Sequence, residues 1–297
     1  MNKKLIVVIK GGLGNQLFCY SLGRNIALKY NYDLILDLDS GFRYDKIYQR
    51  KNCLHHFCIE ALRAKPSERM EPLGKYRRKI AGILTDLRLN IHGAFIREKE
   101  LAFSPLFLRD PKSDPVYFDG YWQSEKYFIE NEEIIRNDLK FSGLKPSAAN
   151  LDMLLKIQNC NAVMIHIRWF IEPGTKSALN EALSSYYKSA VSYMSAHVEL
   201  PHYFVFSDRP DQVKTYLSDL PADAFTIVDI NSTGTAIYDL WLQTHFRYFI
   251  IANSTFSWWG AWLSTRKDKI VIAPALKNDG ISAWGFEGLI PEHWIQL

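Results

Sequence analysis

The apolar positions fall into short runs separated by stretches with helical spacing, and this alternation recurs along the chain. Lys4-Leu-Ile-Val-Val-Ile9 is a continuous apolar run, as in a strand covered on both faces. Helical spacing starts near Asn15-Gln16, with Phe18, Leu22 and Ile26 on one face. Asp33 to Asp39 reads as a second strand, and Tyr117 to Asp119 as a short one that leads into a helix anchored by Trp122, Tyr127 and Phe128. In Asn161 to Arg168, Val163, Ile165 and Ile167 share one face, while His166 and Arg168 share the other at the carboxyl end. Further strands are expected at His202 to Phe206, Phe225 to Asp229 and Lys269 to Ala273, with helices over Thr175 to Met194 and Thr235 to Thr244. Strands that alternate with helices imply parallel sheets with right-handed crossovers. Residues 60 to 115 are mixed, basic and broken by prolines, and the pattern does not place their elements. Lys145 to Asn150 has the composition of a linker.

Two turns stand out. Gly11-Gly-Leu-Gly-Asn15 follows the first strand and opens a helix, as in a Rossmann-like unit, but Leu17 stands where the third glycine of a dinucleotide fingerprint belongs. In Ile250 to Trp262 a strand that includes Phe246, Tyr248 and Ile250 breaks at Asn253-Ser254-Thr255, residues suited to cap a helix. Phe256, Trp259, Gly260 and Leu263 then recur at helical spacing, and Trp258 and Trp262 cover a second face, so this helix is expected to be buried nearly all round. Gly260 lets it approach a neighbour closely. Its N-terminus is either an ordinary cap in the core or an anion site.

With 297 residues, 47% hydrophobic and 23% charged, the chain is long enough for two domains with sizeable cores. Aromatic residues reach 14%, which suits a sugar-handling cleft or simply an aromatic core. A formal charge of +4 favours an anionic ligand or membrane surface only weakly, and the basic residues form no nucleic-acid stripe; the densest run is Lys75 to Lys79. No apolar run approaches the roughly 18 residues of a spanning helix, and Leu5 to Ile9 is too short for a signal-peptide core. Four cysteines, Cys19, Cys53, Cys58 and Cys160, suit a reducing compartment. Cys53-Leu-His-His-Phe-Cys58 matches no standard zinc spacing. Asp37 and Asp39 form a DxD pair, which reads either as a metal-nucleotide signature or as acids at a strand end facing solvent or a ribose.

His166, Arg168, Asp208, Ser254 and Thr255 all fall at expected carboxyl ends of strands, where open parallel sheets bind ligands. An arginine, an acid and a hydroxyl-rich helix start together fit a nucleoside diphosphate. Asp119, Gln123 and Glu125 can either face a sugar or cap a helix.

Gly11 to Phe18, His166-Ile-Arg168, Phe206-Ser-Asp208 and Asn253 to Trp262 resemble glycosyltransferase family 11, the α-1,2-fucosyltransferases, in its bacterial form. Asp119 to Phe128 and Ile290 to Ile295 also look like that family, so the resemblance runs through nearly the whole chain in order. It implies an α/β, GT-B-like fold of two Rossmann-like domains facing across a cleft, residues 1–150 on the acceptor side and 151–297 on the donor side. It implies GDP-fucose as donor, inversion at the anomeric carbon, no metal and no cofactor. By motif match Arg168 holds the diphosphate, Ser254, Thr255 and the backbone at Phe256 complete the phosphate site, and Asp208 contacts the nucleoside. His166 lies beside the donor, and Gly12, Gly14, Asn15 and Gln16 close on the diphosphate or fucose.

The family pattern continues with a second arginine and a Gly-Asp, but this chain reads His166-Ile-Arg-Trp-Phe-Ile-Glu-Pro-Gly174. Indole at Trp169 cannot replace a guanidinium in ion pairing, which bears on donor and acceptor choice. The expected activity is transfer of fucose to the 2-hydroxyl of a terminal β-galactoside, on an oligosaccharide or a lipid-linked glycan, in O-antigen or capsule synthesis. The alternatives are a related metal-independent transferase with another donor or linkage, and a non-catalytic glycan-binding module. His166, Asp119 and Glu125 are the candidate proton acceptors. The expected location is the cytoplasm, with peripheral contact at the inner membrane face and no nucleic-acid partner.

Overall fold

The structure is a computed structural model and describes residues 2–87, 93–168, 178–217, 220–275 and 287–297. Its contacts divide the chain into two compact units, Met1–Gly143 with Phe286–Pro291, and Leu144–Gly285 with Glu292–Leu297.

The first unit starts with β1 (Lys3–Val8), α1 (Leu13–Tyr30) and β2 (Tyr32–Asp37), the strand, glycine-rich turn and helix that the apolar pattern predicts. Then come β3 (Leu62–Arg63), α2 (Gly74–Asp86), β4 (Ala94–Arg97), β5 (Val116–Asp119) and α3 (Glu132–Asp138). The sheet order is β3-β2-β1-β5-β4, and every pairing is parallel. β1 lies at its centre, so Leu5, Ile6 and Val7 are buried and a continuous apolar run is the stable choice.

The second unit holds α4 (Ala148–Gln158), β6 (Asn161–Ile167), α5 (Ala178–His197), β7 (Pro201–Ser207), the single turn α6 (Val213–Tyr216) and β8 (Phe225–Ile227). It continues with α7 (Ala236–Gln243), β9 (Tyr248–Ile250), α8 (Thr255–Leu263), β10 (Ile270–Ala273) and β11 (Ile295–Gln296). This sheet runs β11-β10-β9-β6-β7-β8, again parallel throughout. Tyr186 and Tyr187 of α5 tie the helix to it: the Tyr186 hydroxyl donates to Ile251 O at 2.7 Å, and Tyr187 donates to His166 O at 2.8 Å. α8 is buried from Ser257 to Leu263, and the parallel Trp258 and Trp262 rings lie 6.2 Å apart.

Two expectations need correction. A boundary after residue 150 would cut α4, whose first turn is capped by the Ser147 hydroxyl accepting from Asn150 N at 3.3 Å; the units part at Gly143, and residues near 288 return to the first one. There the Ser124 hydroxyl donates to Gly288 O at 2.6 Å and Phe103 N to Glu287 O at 2.9 Å. The segment after β5 is not a helix. Trp122 has φ 57, and only single 3-10 turns follow at Glu125–Tyr127 and Ile129–Asn131. The start of the helix expected from Thr175, like Trp169, lies outside the described residues. Among the described residues no helix is long and apolar enough to cross a membrane.

Candidate functional site

In the second unit, strand register assembles the predicted residues. β6 pairs with β7 so that Ile167 faces Ser207, and the next residues, Arg168 and Asp208, emerge side by side with Nε and Oδ2 4.0 Å apart. On its other side β6 pairs with β9, Ile165 opposite Ile250. Beyond these pairs β6 leads to Arg168 and β9 leads through Asn253 into α8, whose first turn is met by His166, two residues before Arg168, through Ser257. The Ser254 hydroxyl caps that helix, accepting from Phe256 N at 3.3 Å, and Ser254 O accepts from Trp258 N at 3.0 Å. A guanidinium thus stands on the strand beside a helix start, where backbone N–H donors and the positive end of the helix dipole gather. Arg168 and Asp208 keep 34% and 38% of their side-chain surface, so both can meet a ligand.

His166 sits one step inside this rim and is buried. Its Nδ1 lies 2.8 Å from the Ser257 hydroxyl, which in turn lies 3.3 Å from Ser254 O. Burial, reinforced by the Arg168 charge, pulls its pKa down to about 3, so the imidazole is neutral and joins β6 to the first turn of α8. Sequence reasoning missed Ser257 and Tyr187. Their signal was present only as Ser257 two residues after Thr255 on a helix otherwise made of large apolar groups.

In the first unit, Gly11 has φ 77, and a Cβ there would meet Asn15 Nδ2 at 2.9 Å and the Tyr121 ring at 3.0 Å, so only glycine fits the turn. Gln16, expected among the ligand-binding groups, is instead used internally. Its Nε2 donates to Gly11 O and Lys51 O, both at 2.9 Å, and its Oε1 accepts from Cys53 N at 2.8 Å. It is buried, and pins the glycine turn to the 51–53 segment. Gly14 is also buried, inside α1, whereas Gly12 and Asn15 remain partly exposed. Asn15 Oδ1 accepts from Gln123 Nε2 at 2.8 Å.

Next to this turn Lys10 Nζ and Asp119 Oδ1 pair at 2.8 Å. Burial opposes the Lys10 charge, but Asp119 outweighs it and holds the ammonium above its ordinary pKa. Asp119 is therefore a committed ion-pair partner rather than an open base, and Glu125 opens a 3-10 turn. The Glu98 carboxylate accepts from Tyr121 N at 2.6 Å and Trp122 N at 2.9 Å. Burial pushes its pKa up against those two donors. Nothing in the local pattern marked Glu98 or Lys10, because their partners lie at and just after the end of β5, distant in sequence.

The DxD pair has structural work. Asp37 is buried and accepts from Asp39 N at 3.1 Å and Ser40 N at 2.9 Å, and Asp39 is paired with Arg63 and Arg69. Among the described residues no three His, Cys, Asp or Glu are grouped to hold a metal ion.

The model of glycosyl transferase family 11 matches residues 95–297. An α-1,2-colitosyltransferase from Escherichia coli is 27% identical over 318 aligned residues, covering 99% of this chain and 98% of its own. The O-antigen biosynthesis glycosyltransferase WbnK, also from Escherichia coli, is 26% identical over 289 residues, covering 90% and 92%. Among solved structures, a mutant of Arabidopsis thaliana FUT1 in complex with GDP superposes with a TM-score of 0.54 at 10% identity, over 89% of this chain and 69% of that one. The NodZ α-1,6-fucosyltransferase soaked with GDP-fucose gives 0.51 at 13% identity, over 89% and 93%. Likeness at such low identity establishes the fold, which is α/β and GT-B-like.

Proposed function

Since this chain belongs to glycosyl transferase family 11 and is a glycosyltransferase, we propose that it transfers L-fucose from GDP-fucose, with inversion, to the 2-hydroxyl of a terminal β-galactoside. The observation that carries the donor half is that Arg168 follows β6 and the start of α8 follows β9, its neighbour in the sheet. In the reaction the acceptor hydroxyl oxygen bonds to the anomeric carbon and gives up its proton to water, the bond from that carbon to the β-phosphate oxygen breaks, and the electron pair leaves with GDP. Negative charge grows on the diphosphate, and Arg168 with Thr255 and the positive end of the α8 dipole stabilises it without a metal. Asp208, beside Arg168, turns the guanidinium and reaches the nucleoside. Neutral His166 fixes the helix start through Ser257 and adds no charge that would compete for the phosphates. The same reading puts the enzyme in the cytoplasm, where nucleotide sugars are made, acting on a glycan bound for a surface polysaccharide.

A second donor is favoured by one finding. The colitosyltransferase relative spans the whole chain, and colitose is fucose without its 3-hydroxyl. The test is GDP release from GDP-fucose and from GDP-colitose, with EDTA present, across a panel of β-galactosides. Acceptor-dependent release from GDP-fucose supports the assignment. Release from GDP-colitose alone moves it to the second donor, and release from neither rejects both.

A further inference from the structure

α2 is turned inside out. The side it lays on the sheet carries Gly74, Arg78, Ala81, Gly82 and Thr85, all buried or half-buried. These contacts are close and polar: a Cβ on Gly82 would lie 3.6 Å from the Phe95 ring, and Thr85 Oγ1 accepts from Phe95 N at 2.9 Å. Arg78 donates to Ser40 Oγ and Arg69 O, both at 2.9 Å. The large apolar groups point the other way. Tyr76, Ile80 and Ile83, with Leu73 and Leu87 at the two caps, are between 51% and 67% exposed. Their 3-4-3-4 spacing gathers them within roughly 80° of arc at 3.6 residues per turn. Water-soluble surfaces rarely present such a contiguous stripe without a partner.

The stripe has cations on both edges. Arg77 and Lys79 flank it and Lys75 stands a turn back, all three exposed. Among the described residues none of them pairs with a carboxylate, and the helix's one acid, Asp86, is taken by Lys99 at 3.0 Å. The patch extends beyond the helix. Lys75 Nζ lies 5.2 Å from the centre of the Tyr44 ring, and Tyr44, Ile47 and Tyr48 are themselves exposed, Ile47 by 83%.

We propose that the outer face of α2 and the adjoining 44–48 loop dock the first unit onto an anionic lipid bilayer. The apolar stripe enters the boundary between headgroups and acyl chains, the tyrosines sit at headgroup depth, and the lysines and arginine meet lipid phosphates. A second copy of the chain is the other occupant such a stripe could take, but two copies would bring Lys75, Arg77 and Lys79 against one another with no free acid on the helix to answer them. This face is independent of the donor assignment. Lipid binding needs no nucleotide sugar, so the two readings fail separately.

The test is flotation of the full chain with vesicles of phosphatidylcholine alone, or of phosphatidylcholine mixed with phosphatidylglycerol, at low and high salt. Binding to the mixed vesicles, weaker at high salt, is expected. It should fall about tenfold or more in Ile80→Asp/Ile83→Asp and in Lys75→Gln/Arg77→Gln/Lys79→Gln. Thermal melts confirm that each variant is folded, and Ile80→Ser/Ile83→Ser replaces the aspartate pair if that pair does not fold. Equal binding to both vesicle types, or wild-type binding by the folded variants, overturns the proposal. So does a wild-type dimer in light scattering that the Ile80 and Ile83 variants dissociate, which gives the face to a second copy.

Discussion

His166 and Ser257 stand 91 residues apart in sequence, yet the imidazole Nδ1 and the serine hydroxyl meet at 2.8 Å. This bond fastens the strand that leads to Arg168 to the helix start beside it, while burial and the Arg168 charge keep the histidine neutral. The pH consequence has a definite sign. The folded pKa is about 3 against an ordinary 6.5, so between those values the unfolded chain binds a proton that the folded chain does not. His166 therefore subtracts stability as pH falls below about 6.5, by up to roughly 1.4 kcal/mol per pH unit, and subtracts nothing above it. In urea melts across this range, His166→Asn should show a shallower acid loss than the wild type. Parallel pH curves for the two proteins would refute the buried neutral imidazole.

Asp239 has the opposite slope. Burial raises its carboxyl from 3.8 to about 6, although Asn231 Nδ2 donates to it at 2.7 Å. Between those values the folded chain holds the extra proton, so stability falls as pH rises through the window and the loss levels off above it. Asp239→Asn keeps an acceptor for Asn231 and removes the charge. It should be stabilising at pH 8 by on the order of 2 kcal/mol and near neutral at pH 4. Denaturant midpoints at the two pH values check this.

Arg168 is open enough to solvent that its removal should leave the fold intact. Arg168→Ala is expected to lower turnover by about a hundredfold to a thousandfold, as for loss of a donor to developing charge. Arg168→Lys should recover only part of this, because an ammonium cannot form the planar fork. GDP affinity by calorimetry should fall in the same order. Turnover close to wild type in Arg168→Ala would remove the diphosphate assignment.

Gly260 allows α7 and α8 their close approach. A Cβ there would lie 2.4 Å from Gln243 Oε1 and 2.8 Å from Gln243 Cβ, and Gln243 is fully buried. Gly260→Ala should cost about 1–3 kcal/mol by overpacking. Pairing it with Gln243→Ala should cost less than the sum of the two single changes, since the second removes the Oε1 contact and leaves only the one at Cβ. Strict additivity in thermal melts would show that the contact at Gln243 is not the cause.

The chain's own order of residues determined much. Continuous apolar runs such as Leu5 to Ile9 specified parallel strands, Gly11 specified the turn after β1, and the tryptophan-rich stretch specified a helix buried on all sides. These are local properties, set by side-chain period and backbone freedom within a few residues, and they can be read without knowing what lies alongside. Tertiary structure decided the rest. Arg168, Asp208 and the start of α8 become neighbours only because β6 lies between β7 and β9. Gln16 reads like a ligand-binding amide until Lys51 and Cys53 pack against it. The stripe on α2 has the spacing of a core face, and only the fold turns it outward. In each case the deciding partner is distant in sequence, and the energy of burial or of a hydrogen bond belongs to the pair, so neither partner's local pattern carries it.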